Sequence, residues 1–140
     1  MVDAVLDKQL VVTVTNKIGT LAELTSIISS CGINLIAICA YAVDNKGVIM
    51  FVSEDNQQAL RLLKNRKYDV REEEVLLFSL DNKPGTLQSI TEKIAQIGID
   101  LNLLYGSVDK KGKTSRVVMI SEDNKAVLMA FRMKNALPVN

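Results

Sequence analysis

The hexapeptide NKIGTL at residues 16–21 returns as NKPGTL at residues 82–87, 66 positions further along the chain. The likeness extends in the C-terminal direction: residues 19–33, GTLAELTSIISSCGI, align with residues 85–99, GTLQSITEKIAQIGI. A second block, SEDN, stands at 53–56 and again at 121–124, and between the blocks DNKG at 44–47 faces DKKG at 109–112. Chance can supply one hexapeptide, but not two matched blocks in the same order joined by matching hydrophobic patterns. A chain of 140 residues written this way is two copies of one small folding unit. Nearly half of its residues are hydrophobic, enough apolar surface for two small cores.

Each copy reads as the same series of elements. LVVTVT (10–15) is short, apolar and β-branched, and predicts a strand. Leu21, Leu24, Ile27, Ile28 and Cys31 fall at helical spacing. Thr20 and Glu23 form a T-x-x-E pattern that predicts a capping box, and Gly32 suits the left-handed residue just past a helix end. INLIAICAYAV (33–43) and VIMFV (48–52) predict strands joined by the DNKG turn, with both alternating sets of the former apolar. Ser53 is the expected N-cap of a second helix over 54–65, and YDVREEE (68–74) predicts a solvated edge strand. The second copy repeats the order with VLLFSL (75–80), a helix over 86–97, strands at 99–108 and 115–120, and a helix over 122–133. Its fourth strand falls either in the terminal NALPVN, weakened by Pro138, or in the N-terminal VDAVL.

The expected class is therefore α+β: two ferredoxin-like βαββαβ repeats, residues 1–74 and 75–140, each an antiparallel sheet with both helices on one face. The opposite sheet face is left bare in such a unit. The two-sided apolar strand 33–43 then calls for cover, within the chain or from a second copy, and a homodimer or larger assembly is expected.

Composition narrows the chemistry. Acidic and basic residues nearly cancel, at a net charge of +1, which gives no support for binding a nucleic-acid backbone. No apolar run approaches the roughly 20 residues that span a bilayer, and the acidic N-terminus does not resemble a secretion signal, so a cytoplasmic location is expected. The sequence has no His, which rules out Ser-His and Cys-His nucleophilic pairs and removes the commonest zinc ligand. Cys31 and Cys39 lie in apolar contexts and read as reduced core residues. Neither a metal nor an organic cofactor is expected.

In the loop NK-x-GTL, Gly19 and Gly85 allow a tight turn, and the amides that follow open a helix. Free N–H groups at the positive end of a helix dipole are a natural seat for a carboxylate. The same residues are also what an ordinary strand-to-helix turn uses, and residue chemistry alone leaves both readings open.

A strand end, N-K-x-G-x-L opening a helix, and then GIN (32–34) or GID (98–100) leading into the next strand, all within βαββαβ, resembles the ACT domain. The resemblance covers about residues 9–74 and 75–139. It implies a regulatory module that binds a small molecule, commonly an amino acid, where the loop of one domain meets the start of strand two of a neighbour. The implied ligand-binding residues are Asn16, Ile18, Gly19, Thr20, Leu21 and Asn34 in the first copy. In the second they are Asn82, Pro84, Gly85, Thr86, Leu87 and Asp100, with Asn102 two residues further on. The copies differ: Pro84 removes a backbone donor present at Ile18, and Asp100 puts a carboxylate where Asn34 is neutral. The two sites are expected to be unequal, with Asp100 placed to pair with an α-ammonium group or simply solvated.

Three kinds of function remain open at this level. One is a non-catalytic sensor acting through oligomer changes or a protein partner in trans. The second is a small enzyme, since ferredoxin-like sheets host many chemistries. The third is a purely structural interaction module.

Overall fold

The computed structural model describes residues 2–108 and 114–136. Among them the elements are β1 (Val2–Thr15), α1 (Thr20–Ser30), β2 (Leu35–Val43), β3 (Lys46–Ser53), α2 (Asn56–Asn65), β4 (Asp69–Asp81), α3 (Thr86–Gln96), β5 (Leu101–Val108), β6 (Thr114–Ser121) and α4 (Asn124–Ala136). The expected α+β class, with two ferredoxin-like repeats, is what the chain adopts.

The chain folds as two compact units. The first is residues 8–73; the second is residues 74–140 together with residues 1–7. Strand order in the first unit is β2, β3, β1, β4, and in the second β1, β4, β6, β5. Both are the split βαβ order, with strand three lying between strands one and two. The N-terminal segment supplies the fourth strand of the second unit. Ala4 is buried in that unit's core, and Val2 and Leu6 pack against it. Residues 1–7 thus group with the second copy, although sequence order alone puts them with the first. Of the alternative strand in NALPVN, residues 135 and 136 finish α4, and residues 137–140 lie outside the described residues. The strands expected separately at 68–74 and 75–80 run on as the single 13-residue β4.

Each unit buries one helix-facing layer. In the first, Leu10, Val12, Ile49 and Phe51 from the sheet meet Leu24, Ile27, Ile28, Ala59 and Leu63 from the helices. In the second, Leu76, Phe78, Leu80, Val117 and Met119 meet Ile90, Ile94, Val127 and Leu128. The far face is less bare than expected. Val11, Met50 and Val52 in the first unit, and Val75, Leu77 and Val118 in the second, are also buried within the single chain. Exposed apolar residues include three on the outer strand β2, where Ile38, Tyr41 and Val43 are 40%, 48% and 56% exposed.

The repeated SEDN block has a structural explanation. Asp55 is the N-cap of α2 and accepts from the Gln58 amide at 3.1 Å. Asn56 Oδ1 accepts from both the amide and the hydroxyl of Ser53. The same bonds recur with Ser121, Asp123, Asn124 and the Ala126 amide. The cap is therefore Asp55 and not Ser53, which ends β3 and braces the turn. The capping box expected at Thr20 and Glu23 does not form either. Gly19, at φ 88°, is the N-cap of α1 without a side-chain bond, and the Thr20 hydroxyl donates to the Lys17 carbonyl at 3.0 Å.

Both strand-two segments carry a bulge, at Ile36 between Leu35 and Ala37 and at Asn102 between Leu101 and Leu103. An extra residue shifts the alternation. Leu35, opposite Ser53, turns to the helix side, and Ala37, opposite Val52, turns to the other, so they do not share a face as simple alternation predicts. Asn102 is itself the bulged residue, so the alternation that would put it on one face with Asp100 is interrupted.

Candidate functional site

The loop that closes β1 is shaped by three backbone decisions. The Asn16 amide donates to the Asn45 carbonyl at 2.7 Å, tying the loop to the β2–β3 turn. Gly19 adopts a left-handed conformation that a side-chain-bearing residue rarely takes, while the space above its Cα is open. The Glu23 amide then donates to the Gly19 carbonyl at 2.9 Å and starts the helix. The amides of Leu21 and Ala22 find no acceptor among the described residues, as expected for the first turn of a helix.

A hollow of about 380 Å³ lies beside these amides. Asn16, Gly19, Thr20 and Leu21 form one wall; Ala40, Tyr41 and Ala42 of the outer strand form the other. Gly47 leaves room at its base, since a Cβ there would come within 3.0 Å of the Val14 side chain. Ile18 stands fully in solvent at the rim. Tyr41, Ala40 and Ala42 were not legible as site residues. They reach the loop only because the hairpin register pairs Tyr41 with Val48 and Ala42 with Gly47.

The second copy repeats the loop with differences. Gly85 is again a left-handed N-cap, at φ 91°, and Leu87 is again 41% exposed. The Thr86 hydroxyl, however, is buried without a hydrogen-bond partner among the described residues, whereas its counterpart Thr20 donates to a carbonyl. The turn that would face Asn82, Pro84 and Gly85, residues 109–113, lies outside the described residues.

Asn34 and Asp100 sit elsewhere. Each follows a helix that ends on a left-handed glycine, Gly32 at φ 71° and Gly98 at φ 75°. Each carbonyl accepts an amide 3.0 Å away, from Glu54 and Glu122 respectively. Asn34 Nδ2 also donates to Glu54 Oε1 at 3.3 Å. Asn34 lines a hollow of about 420 Å³ with Thr25 and Ser29, and Asp100 lines its repeat, about 370 Å³, with Thr91 and Ala95. In each unit the glycine loop and the strand-two start lie at opposite ends of an 11-residue helix, about 16 Å apart. Within one unit they do not converge on one small molecule.

On the other side of the first loop, the Tyr68 hydroxyl donates to Glu23 Oε1 at 2.6 Å. Burial of the phenol, and then that hydrogen bond and the nearby carboxylate charge, push the Tyr68 pKa up to about 12. Among the described residues no group of three His, Cys, Asp or Glu side chains is placed to hold a metal ion. No helix there is long and apolar enough to cross a membrane.

The ACT domain pair family matches residues 5–135. No curated protein matches the sequence. Among solved structures, protein BT0572 from Bacteroides thetaiotaomicron superposes with a TM-score of 0.86 at 24% identity, over 94% of this chain and 90% of that one. The ligand-free regulatory subunit of aspartate kinase from Thermus thermophilus superposes with a TM-score of 0.65 at 15% identity, over 93% and 95%. The corresponding subunit from Thermus flavus gives 0.60 at 15% identity, over 94% and 95%. The structural likenesses establish the fold, and the match over residues 5–135, reaching across both copies of the doubled motif, places this chain in the ACT domain pair family.

Proposed function

We propose that the chain is a non-catalytic sensor, acting in the cytoplasm, that binds a free amino acid and passes the signal on through its assembly state or a protein partner in trans. The observation that carries this reading is the pair of unpartnered amides of Leu21 and Ala22 opening onto the hollow beside Gly19 and Tyr41. An α-carboxylate seated there accepts from the helix N-terminus, and the half-exposed Leu21, with Ala40 and Ala42, offers apolar cover to a side chain. The ammonium group falls to a strand-two start, Asn34 or Asp100, supplied by a second copy of the chain, since one module cannot bring both ends together. The solved regulatory subunits of aspartate kinase support a regulatory role by their shared fold. The absence of His leaves no imidazole to act as base, which favours sensing over turnover.

Equilibrium dialysis against each of the common amino acids tests the proposal. One or a few should bind saturably, with the matching amines that lack a carboxylate failing to compete. No binding at millimolar ligand overturns it.

A further inference from the structure

The first loop has a second side. Between the end of β1, the start of α1 and the end of α2 lies a separate hollow of about 390 Å³. Lys17, Arg66 and Lys67 line it, and none of the three forms an ion pair among the described residues. Thr13, Thr15 and Thr20 line it as well, and the Thr20 hydroxyl already donates to the Lys17 carbonyl. Two carboxylates share the lining, Glu23 and Asp69, and Glu23 already accepts the Tyr68 hydroxyl. Three cations against two carboxylates leave the hollow positive.

The arrangement is peculiar to one copy. α2 stops at Asn65, and Lys67 takes the left-handed position after it, at φ 65°. After α1 and α3 that position is held by Gly32 and Gly98, for which it is unstrained. In the second copy α4 runs on to Ala136, through the positions that match Arg66, Lys67 and Tyr68 when the two SEDN blocks are aligned. There Thr15 is matched by Asp81 and Glu23 by Ser89, so the hydroxyl becomes a carboxylate and the tyrosine tether has no acceptor. A helix stop held on a lysine, with an adjacent arginine and a tether that fixes the next residue, appears once among the described residues. A residue kept in a sparsely populated backbone conformation is a reason to look for function.

We infer that this hollow binds a tetrahedral oxyanion, inorganic phosphate or the phosphate of a small monoester, between Lys17, Arg66 and Lys67. Lysine and arginine charges converging on one hollow match phosphate oxygens. Lys17 and Thr20 line both this hollow and the one beside Gly19, so an anion bound here meets the amino-acid loop from behind. The inference does not depend on the amino-acid reading.

The test is a titration followed by two-dimensional NMR with inorganic phosphate, and separately with methyl phosphate, at constant ionic strength held by chloride. Saturable shifts at the amides of Lys17, Lys67 and Tyr68 are expected. Tighter binding of methyl phosphate identifies an ester as the source, and equal binding identifies the bare anion. Arg66→Gln and Lys67→Gly should each weaken binding about five- to tenfold, as loss of one charge-assisted contact at an exposed site implies. Lys67→Gly removes the charge while easing the backbone, so misfolding does not confuse the result. Lys64→Gln, on the same helix end but outside the hollow, should leave affinity unchanged. Shifts that do not saturate, or an equal loss on Lys64→Gln, overturn the inference. Amino-acid affinity that survives Arg66→Gln while phosphate affinity falls keeps the two readings separate.

Discussion

Tyr68 and Glu23 meet at 2.6 Å, the hydroxyl of one donating to the carboxylate of the other. The bond ties the residue before β4 to the first turn of α1, 45 positions away in sequence. Because the folded pKa of Tyr68, about 12, lies above its ordinary value of 10.0, the fold favours the protonated phenol. The stabilisation is full below the unfolded pKa and is lost as pH rises through the interval from 10 to 12. Urea unfolding between neutral pH and this interval should show a fall in stability that Tyr68→Phe lacks. At neutral pH the Phe variant should be less stable by about 1 kcal/mol. Equal pH profiles for the two proteins would show that the tether does not titrate with Tyr68.

The doubled SEDN block makes a paired prediction about the caps. Asp55→Ala and Asp123→Ala should each cost about 1 kcal/mol, because each removes the acceptor for an amide in a first helical turn. Replacement by Asn should restore most of the loss. Thermal or urea unfolding of the four variants measures it. A smaller loss for Asp55→Ala than for Ser53→Ala would put the cap back on the serine.

The caps also show what the sequence could disclose. The repeat, the order of elements, the glycine stops at Gly32 and Gly98, and the class of fold all follow from local pattern, because spacing and turn chemistry are local. The choice between Ser53 and Asp55 was not local. It depends on how far β3 runs before the chain turns, which the pairing of β2 with β3 through Ser53 decides. The same limit applies to Tyr41. Nothing in its own neighbourhood marks it, and only the hairpin register carries it to the Gly19 loop. The bulges at Ile36 and Asn102 are a third case, since a period-two reading has no way to see an extra residue.

Gly19 separates backbone need from ligand need. A close approach over the glycine is not what requires it, since the space where a Cβ would sit is open and the constraint is φ 88°. Gly19→Ala should therefore destabilise the protein by about 1 kcal/mol, and the β-branched Gly19→Val by more. Valine does not simply fill a site in an intact fold. Circular dichroism melts with parallel ligand titrations decide the matter. An unchanged melt for Gly19→Ala would show that the left-handed backbone is not what calls for glycine here.

The outer strand makes a prediction about assembly. Ile38 on the helix side and Tyr41 and Val43 on the other expose apolar surface along a strand with a free edge in its unit. Exposed apolar surface on an edge strand favours self-association. Sedimentation at micromolar concentration should give a dimer or larger species, and Ile38→Lys with Val43→Lys should shift it toward the monomer. A wild-type protein that sediments near 15.4 kDa is monomeric and excludes this surface as a dimer contact.

The last prediction concerns the inequality of the two copies. Asn34 and Asp100 occupy matching positions, each beside a matching hollow, and differ by one negative charge. Asn34 is already engaged with Glu54 through its amide, which leaves it less able to turn to a ligand. If Asp100 reads the ammonium group of an amino acid, Asp100→Asn should weaken the amino acid more than the matching α-hydroxy acid, which has no ammonium to lose. A charge-assisted hydrogen bond contributes roughly 1.5–3 kcal/mol, so the selective loss should be about ten- to a hundredfold in affinity. Asn34→Ala should show no such discrimination. Calorimetric titration of both variants with both ligands gives the answer. Equal losses for the two ligands on Asp100→Asn would leave Asp100 as a solvated residue at the mouth of its hollow and move recognition of the ammonium group elsewhere.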